Sequence, residues 1–341
     1  MLVTTLSIYI VNWNSGTMLQ QCILSIKPSL KDDFVLSEII VIDNNSKDGF
    51  PHYINNCGLP ITKIINTKNH GFAAACNQGA TGGKSDFLLF LNPDTRLSDN
   101  AISEPLSFMI RPENARVGIC GIQHKDKYGG DRLSYSVFPT AWFFAIEAFG
   151  INKLLPHKKK RRYADTAVPP AFFAVDQVIG AFFITRRAVF EELGGFDERF
   201  FVYFEEIDFA LRARKRNWSV AFLTNVSCIH FGGGSSQQNK SVRLFHFLRS
   251  RLLYGFKHFR ALSALAVLVI TFVPEFFTRI VYSCRHGVGT DMLNILRSYS
   301  LLVRNLPAIL WMAFKNRNGL FQINDSELQR YRRLLTPPQS S

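Results

Sequence analysis

No Cys-x-x-Cys pair occurs in the 341 residues, and no cysteine stands at zinc-finger spacing from a histidine. The six cysteines, Cys22, Cys57, Cys76, Cys120, Cys228 and Cys284, therefore fit a reduced compartment better than a disulfide framework or a zinc module. Neither G-x-G-x-x-G nor G-x-x-x-x-G-K-[ST] is present, which argues against a dinucleotide-binding Rossmann domain and a P-loop ATPase. Acidic residues are scarce, 26 against 40 Lys and Arg, and the formal charge of +14 calls for an anionic partner: nucleic acid, a phosphate-bearing ligand or an acidic membrane surface. The start, "MLVTTLSIYIVNWN", lacks a basic n-region and a small-residue cleavage site, so it reads as a first strand and not as a signal peptide.

What is abundant is apolar and aromatic. A hydrophobic content of 47% with 31 Phe supplies a substantial core and excludes global disorder. The runs "LSIYIV" (6–11), "EIIVID" (38–43) and "FLLFL" (87–91) read as strands, and 17–30 and 72–80 carry helical spacing. That alternation predicts an α/β fold with a mostly parallel sheet and helices on both faces. In such sheets ligands sit just past the carboxyl ends of strands. Those ends here are Asn12-Trp13-Asn14, Asp43-Asn44-Asn45-Ser46 and Asn92-Pro93-Asp94, and all three should meet on one edge.

Residues 110–178 look less regular and include "HKKKRR" at 157–162, expected as an exposed loop. Further on, Gly194-Gly195 should break one helix and Glu205 open another, before a strand-like "VAFL", then "VSCIH", and a flexible glycine- and serine-rich segment near 232–239. Beyond it no acid appears until Glu275, and Arg and Lys mix with Phe, Leu and Tyr. Its apolar stretch Ala261–Val273 falls short of the ~20 residues of a spanning helix and should stop at Pro274-Glu275. An interfacial or re-entrant element against anionic headgroups suits it; a buried core helix flanked by solvated arginines is the alternative.

Three constellations carry chemistry. Asn92 and Asp94 flank Pro93, whose fixed φ lets both side chains project toward one point. A hard cation such as Mg²⁺ or Mn²⁺ needs only one or two protein oxygens when phosphates and water supply the rest, while an Asx-turn is the plainer reading of the same three residues. Asn12, Asp43 and Asn44 offer acceptors and amides suited to a pyrimidine nucleoside, or are turn residues. In "FVYFEEIDFALRA" (201–213), Glu205, Glu206 and Asp208 favour the dipole of a helix start; set among Phe201, Tyr203, Phe204 and Phe209, they also suit a general base with a raised pKa. His230 is either a metal ligand or a packed histidine.

Taken in order, "VNWNSG", "VIDNNSKDG", "NHGFAAACNQG", "LFLNPDT", "VIGAFFITRRAVFEELGGFDERFFVYFEEIDFALR" and "IHFGGGSS" resemble the GT-A family 2 glycosyltransferases, in particular the bacterial rhamnosyltransferase-like branch that builds cell-surface polysaccharides such as O-antigen. The resemblance covers about the first 240 residues. It implies a catalytic domain over 1–240, with a nucleotide-sugar half near 1–110 and an acceptor half near 111–240. A helical, membrane-associating region over 241–341 would place the protein on the cytoplasmic face of the inner membrane. By this resemblance Asn12, Asp43 and Asn44 contact the nucleoside; Asn69, Gly71, Asn77 and Gly180 shape the nucleotide-sugar pocket. Asn92-Pro93-Asp94 stands for the family's D-x-D motif, with Asn in place of the first Asp, leaving Asp94 as principal metal ligand, Asn92 as a weaker one and His230 as the distal one for Mg²⁺ or Mn²⁺. The family's base, commonly the Asp of an E-D pair, falls on Glu206, with Glu205 and Asp208 as further candidates.

The implied reaction inverts the anomeric centre of a sugar. L-rhamnose from dTDP-L-rhamnose, or a hexose from a UDP-sugar, would pass to a polyprenyl-diphosphate-linked glycan, with an anionic membrane surface as partner and no nucleic acid. Single addition is expected because the Q-x-x-R-W motif of the processive synthases is missing. A sugar nucleotidyltransferase is one rival, but it should carry a basic glycine-rich loop where this chain has "NWNSGTML". A non-catalytic membrane-bound binding protein is another, and would need neither metal nor base.

Overall fold

Short apolar strands alternating with helices that bury one stripe each produce the expected layers. The computed structural model describes residues 4–30, 34–50, 52–54, 58–151, 171–232, 239–285 and 289–315. The chain runs β1 (Thr5–Asn12), α1 (Thr17–Ile26), β2 (Val35–Asp43), β3 (Ile61–Ile65), α2 (Phe72–Ala80), β4 (Phe87–Leu91), β5 (Thr95–Leu97), α3 (Ser103–Ile110) and β6 (Val117–Lys125). There follow β7 (Asp131–Arg132), β8 (Tyr135–Ser136), α4 (Ala141–Ala148), β9 (Phe172–Val175), β10 (Gln177–Val178), β11 (Phe182–Arg186), α5 (Arg187–Glu192), α6 (Glu205–Lys215) and β12 (Ser219–His230). Four helices complete it: α7 (Lys240–His258), α8 (Ala261–Phe272), α9 (Pro274–Arg285) and α10 (Gly289–Lys315). The basic run 157–162 and most of the segment 232–239 lie outside the described residues.

The described residues form two compact units, one of 4–138, 171–198 and 205–232, the other of 139–151, 199–204 and 239–315. The boundary expected near 240 lies close to the last junction; that 139–151 and 199–204 join the helical unit has no counterpart in the sequence pattern.

In the first unit the sheet order is β3-β2-β1-β4-β11-β6-β12-β5. β1 pairs parallel with β2 and β4, β2 with β3, and β6 with β12; β11 and β5 run antiparallel to their neighbours. Inner strands of this kind are buried on both faces. Leu6, Ile8 and Ile10 of β1 pack with Leu19, Ile23 and Ile26 of α1, whereas Tyr9 and Val11 join Ala73, Ala75 and Cys76 of α2 and Phe209 of α6. α1 buries Leu19, Cys22, Ile23 and Ile26, the i, i+3, i+4, i+7 stripe of an amphipathic helix. The alanines of α2 are buried instead for closeness, so a Cβ on Gly79 would lie 2.8 Å from Ile42 Cδ1.

Two expectations need correction. The stretch 110–178 contains β6, a nine-residue strand that pairs with both β11 and β12. Gly118 and Gly121 interrupt its β-rich pattern and mask the signal. A Cβ on Gly121 would stand 2.7 Å from Val178 Cβ, so the residue that hides the strand is the one its packing requires. "VAFL" and "VSCIH" are one twelve-residue strand, β12, with a register shift against β6 between Leu223 and Ser227.

In the second unit the apolar helix α8 ends at Phe272, where the sequence anticipates a stop at Pro274-Glu275, and a second helix, α9, starts at once. Pro274 occupies the first position of α9, where a missing N–H costs nothing. Glu275 is buried in ion pairs with Arg251 and Arg279. Taken together α8 and α9, Ala261–Arg285, contain an 18-residue window of mean hydropathy 1.9 that is 22% buried, long and apolar enough by length and composition to cross a membrane.

Gly121→Ala is expected to lower stability by about 1–3 kcal/mol, because β-branched Val178 has no rotamer that clears the added methyl. Urea unfolding monitored by far-UV circular dichroism measures this.

Candidate active site

Strand register sets the site. Asn12 pairs with Asp43 across β1 and β2, and Asn12 Nδ2 donates to Asp43 Oδ1 at 2.7 Å and to Ser46 Oγ at 3.0 Å. The second carboxylate oxygen, Asp43 Oδ2, accepts from Ser46 N at 3.0 Å. Asn44 Nδ2 donates to Gly71 O at 3.1 Å, and Asn66 Nδ2 to Asn44 Oδ1 at 3.0 Å. Asn69 Oδ1 accepts from Gly71 N at 2.8 Å, fixing the turn before α2, where Gly71 has φ of 86° and so favours glycine. Asn12, Asp43 and Asn44 are only 1–3% exposed, yet Asn12 Oδ1 has no hydrogen-bond partner among the described residues. A buried acceptor left open in an otherwise satisfied polar network is what a ligand donor such as a ring N–H would complete.

Asn77 is bonded to a loop. Its amide donates to Phe196 O at 2.8 Å and Glu198 Oε1 at 3.1 Å and accepts from Phe196 N at 2.9 Å, so it anchors the 195–198 loop to α2. Gly195, with φ of 74°, makes room for it.

β4 delivers the next group. Leu91 pairs with Ile10 of β1 and with Phe182 of β11. Asn92 N then donates to Ala181 O at 2.9 Å, which sets Gly180 and Ala181 beside the Asn-Pro-Asp turn. The turn closes through Thr95: its N and Oγ1 donate to Asn92 O at 3.2 and 2.7 Å, and Cys22 Sγ donates from below. Asn92's side-chain amide makes no hydrogen bond among the described residues, so the turn does not depend on it. Thr95 pairs with His230 across β5 and β12, and this brings His230 Nε2 to 3.4 Å from Asp94 Oδ1.

His124, which the sequence reading did not single out, packs edge-to-face on His230 with ring centroids 5.6 Å apart. It is 2% exposed, and burial, then His230 and Arg132, hold its pKa down to about 3, so it is neutral. The rule that found the other strand ends applies here too, since Gln123-His124 lie near the carboxyl end of β6; β6 itself had escaped notice.

No cluster of three or more His, Cys, Asp or Glu that could cage a metal occurs among the described residues. One carboxylate and one imidazole, both partly accessible at 12% and 19%, make an open O/N donor pair. That pair fits a divalent ion whose other ligands come from phosphate and water, and its nitrogen suits Mn²⁺ better than Mg²⁺.

The acidic cluster divides three ways. Asp208 has a fully buried side chain and accepts from Arg212 Nε at 2.7 Å; Arg212 also donates to Leu193 O and Gly195 O, so this pair ties α6 to the turn after α5. Glu205 is 5% exposed, and burial, followed by the charges of Glu206 and Asp208, raises its pKa well above the ordinary carboxylate range. Glu206 is only partly buried and lies against Gly180, where a Cβ would stand 3.5 Å from its Cβ and Cγ. Tyr203 and Phe204, just before the pair, hold φ of 68° and 72°. Consecutive non-glycine residues in the left-handed region are strained, and such strain gathers at functional sites.

The family model for Glycosyl transferase family 2 matches residues 7–194, which include β1, β2, the turn before α2, the Asn-Pro-Asp turn and Gly180. The chain belongs to glycosyl transferase family 2. It is 24% identical over 267 residues to the N-acetylglucosaminyl-diphospho-decaprenol L-rhamnosyltransferase of Mycobacterium tuberculosis, covering 73% of this chain and 83% of that one. It is 28% identical over 173 residues to the rhamnosyltransferase WbbL of Escherichia coli, covering 50% and 61%. Among solved structures, the mannosyltransferase PcManGT of Pyrobaculum calidifontis in complex with GDP-Man and Mn²⁺ aligns with TM-score 0.51 at 14% identity over 97% of this chain and 84% of that chain. GalNAc-T7 with UDP, GalNAc and Mn²⁺ aligns with TM-score 0.50 at 17% identity, covering 67% of this chain and 43% of the other. The fold of this glycosyltransferase is thus GT-A, with a mostly parallel central sheet.

Glu205 gives the fold a pH dependence of definite sign. Its folded pKa lies above its unfolded value, so its contribution is fully present below the unfolded pKa and is lost as pH rises toward the folded one. Buried His124, with its pKa held down to about 3, acts with the opposite sign, so the contribution of Glu205 is read as a difference between two chains. From about pH 5 to 8 the wild-type chain should lose stability relative to Glu205→Gln, by at most about 1.4 kcal/mol per pH unit, measured from paired melting temperatures.

Proposed function

We propose that the chain transfers L-rhamnose from dTDP-L-rhamnose to a hydroxyl of a polyprenyl-diphosphate-linked sugar, with inversion at the anomeric carbon. The observation that carries the chemistry is Glu206 against Gly180, one step along the β4–β11 register from the Asn-Pro-Asp turn. Asp208 is committed to Arg212 and Glu205 is buried with its pKa raised, which leaves Glu206, half-buried against Gly180, to take a proton from an acceptor hydroxyl. The deprotonating oxygen attacks the anomeric carbon from the face opposite the nucleoside diphosphate, the C–O bond to the diphosphate breaks, and one displacement inverts the centre. Asn12, Asp43 and Asn44 hold the nucleoside, with Asn69 shaping the turn beside it. Asp94 and His230 would hold Mn²⁺ or Mg²⁺, which when bound neutralises charge on the diphosphate. The rhamnosyltransferase relatives, one of them named for a decaprenyl-diphosphate-linked acceptor, support the donor and acceptor. A UDP-hexose is the second reading, favoured by the UDP in the GalNAc-T7 structure.

Glu206→Gln is expected to keep donor binding while turnover falls about 10²- to 10⁴-fold; an active variant removes Glu206 from this role. His230→Ala should weaken Mn²⁺ binding in the presence of nucleoside diphosphate, read by the paramagnetic signal of free Mn²⁺, and unchanged affinity would take His230 out of the site.

The second unit supports the proposed peripheral attachment to a membrane. Leu262, Leu265, Val269, Val273, Phe277 and Val281 are exposed at three- and four-residue spacing along α8 and α9. Between 239 and 315 eleven Lys and Arg face only two acids, Glu275 and Asp291, so an anionic surface is favoured over a zwitterionic one. Val269→Asp with Phe277→Asp should weaken sedimentation with phosphatidylglycerol vesicles by about tenfold or more.

A further inference from the structure

A cavity of about 470 Å³ lies wholly within the second unit, and no candidate catalytic residue lines it. Its size is that of a small-molecule site, roughly 300–1,000 Å³. α9 presents Glu275, Thr278, Arg279 and Tyr282 to it, one helical face, while Phe277 and Val281 of the same helix are exposed and apolar. Three cations, Lys240, Arg251 and Arg279, and three carboxylates, Glu147, Glu275 and Asp291, line the cavity together. Lys240 Nζ is 3.1 Å from Asp291 Oδ1, and Glu275 is shared by Arg251 and Arg279.

Arg251 is the unusual member. It is 1% exposed, and both of its side-chain hydrogen bonds leave through Nη2, to Thr271 Oγ1 at 2.8 Å and to Glu275. Its Nε has no hydrogen-bond partner among the described residues, a costly state for a buried donor. The Asn294 side-chain amide, also on the cavity wall, makes no hydrogen bond among them either. Leu244, Phe247 and Ile295 supply apolar surface.

These groups constrain the ligand by charge. An anion would meet three carboxylates and a cation three basic groups, while an apolar molecule would strip water from six charges and return no hydrogen bonds. An uncharged molecule dense in hydroxyls both donates and accepts, and its C–H faces pack on Phe247 and the aliphatic wall. We propose that this cavity is a second saccharide-binding site, separate from the donor site, that takes a short uncharged glycan. The assignment stands on the cavity's own chemistry and rests on the proposed transferase reading only for the source of the glycan.

The test is saturation-transfer NMR on the full chain with methyl α-L-rhamnoside, N,N′-diacetylchitobiose and maltotriose, in saturating dTDP and Mn²⁺ so that the nucleotide site is filled. At least one of these should bind saturably, and Asn294→Leu should weaken it about tenfold while dTDP affinity is unchanged. A second variant, Lys240→Met at the exposed rim, should weaken it less and guards against a folding artefact. Absence of binding by all three, equal binding in Asn294→Leu, or displacement by inorganic phosphate would overturn the saccharide assignment. Failure of dTDP and of UDP to bind, with the saccharide still bound, would instead sink the transferase reading and leave this site intact.

Discussion

The backbone hydrogen-bond register of the central sheet is the constraint on which the candidate site depends. Pairing Asn12 with Asp43, Leu91 with both Ile10 and Phe182, and Thr95 with His230 aligns residues more than two hundred positions apart on one edge. A slip of one residue in any of these pairings would reverse the side chains of a whole strand and turn a carboxylate into the core. The apolar packing on both faces, α1 and α3 on one side and α2, α5 and α6 on the other, makes such slips costly. The core thus holds the register, and the register assembles the polar groups.

On that edge, polar groups differ by what the fold has already bound to them. Asp43 has both oxygens engaged, whereas Asn12 Oδ1 stays open. Three acids within four residues become a structural ion pair in Asp208, a buried group with a raised pKa in Glu205 and a half-buried side chain in Glu206. Burial separates their roles, because desolvation penalises the charged form unless a cation such as Arg212 compensates.

The helical unit follows the same logic with opposite emphasis. Its outer stripe on α8 and α9 is apolar and exposed, and its inner face places a carboxylate between two guanidiniums. Glu275 ends the apolar stretch in the sequence, and in three dimensions it is a buried, doubly paired residue in the first turn of α9, so a second helix follows α8 directly.

The sequence by itself determined the α/β alternation, the three polar strand ends and the acidic start of α6, since each is a local pattern carried by residues two to four apart. It also carried the family, through ordered motifs. It could not disclose β6, whose Gly118 and Gly121 look like breakers until Val178 is packed against them, nor His124 beside His230. Which acid has its pKa raised and which amide stays open emerge only once the chain is folded. Ionisation and hydrogen-bond satisfaction depend on neighbours that meet through space, and no spacing along the chain encodes them.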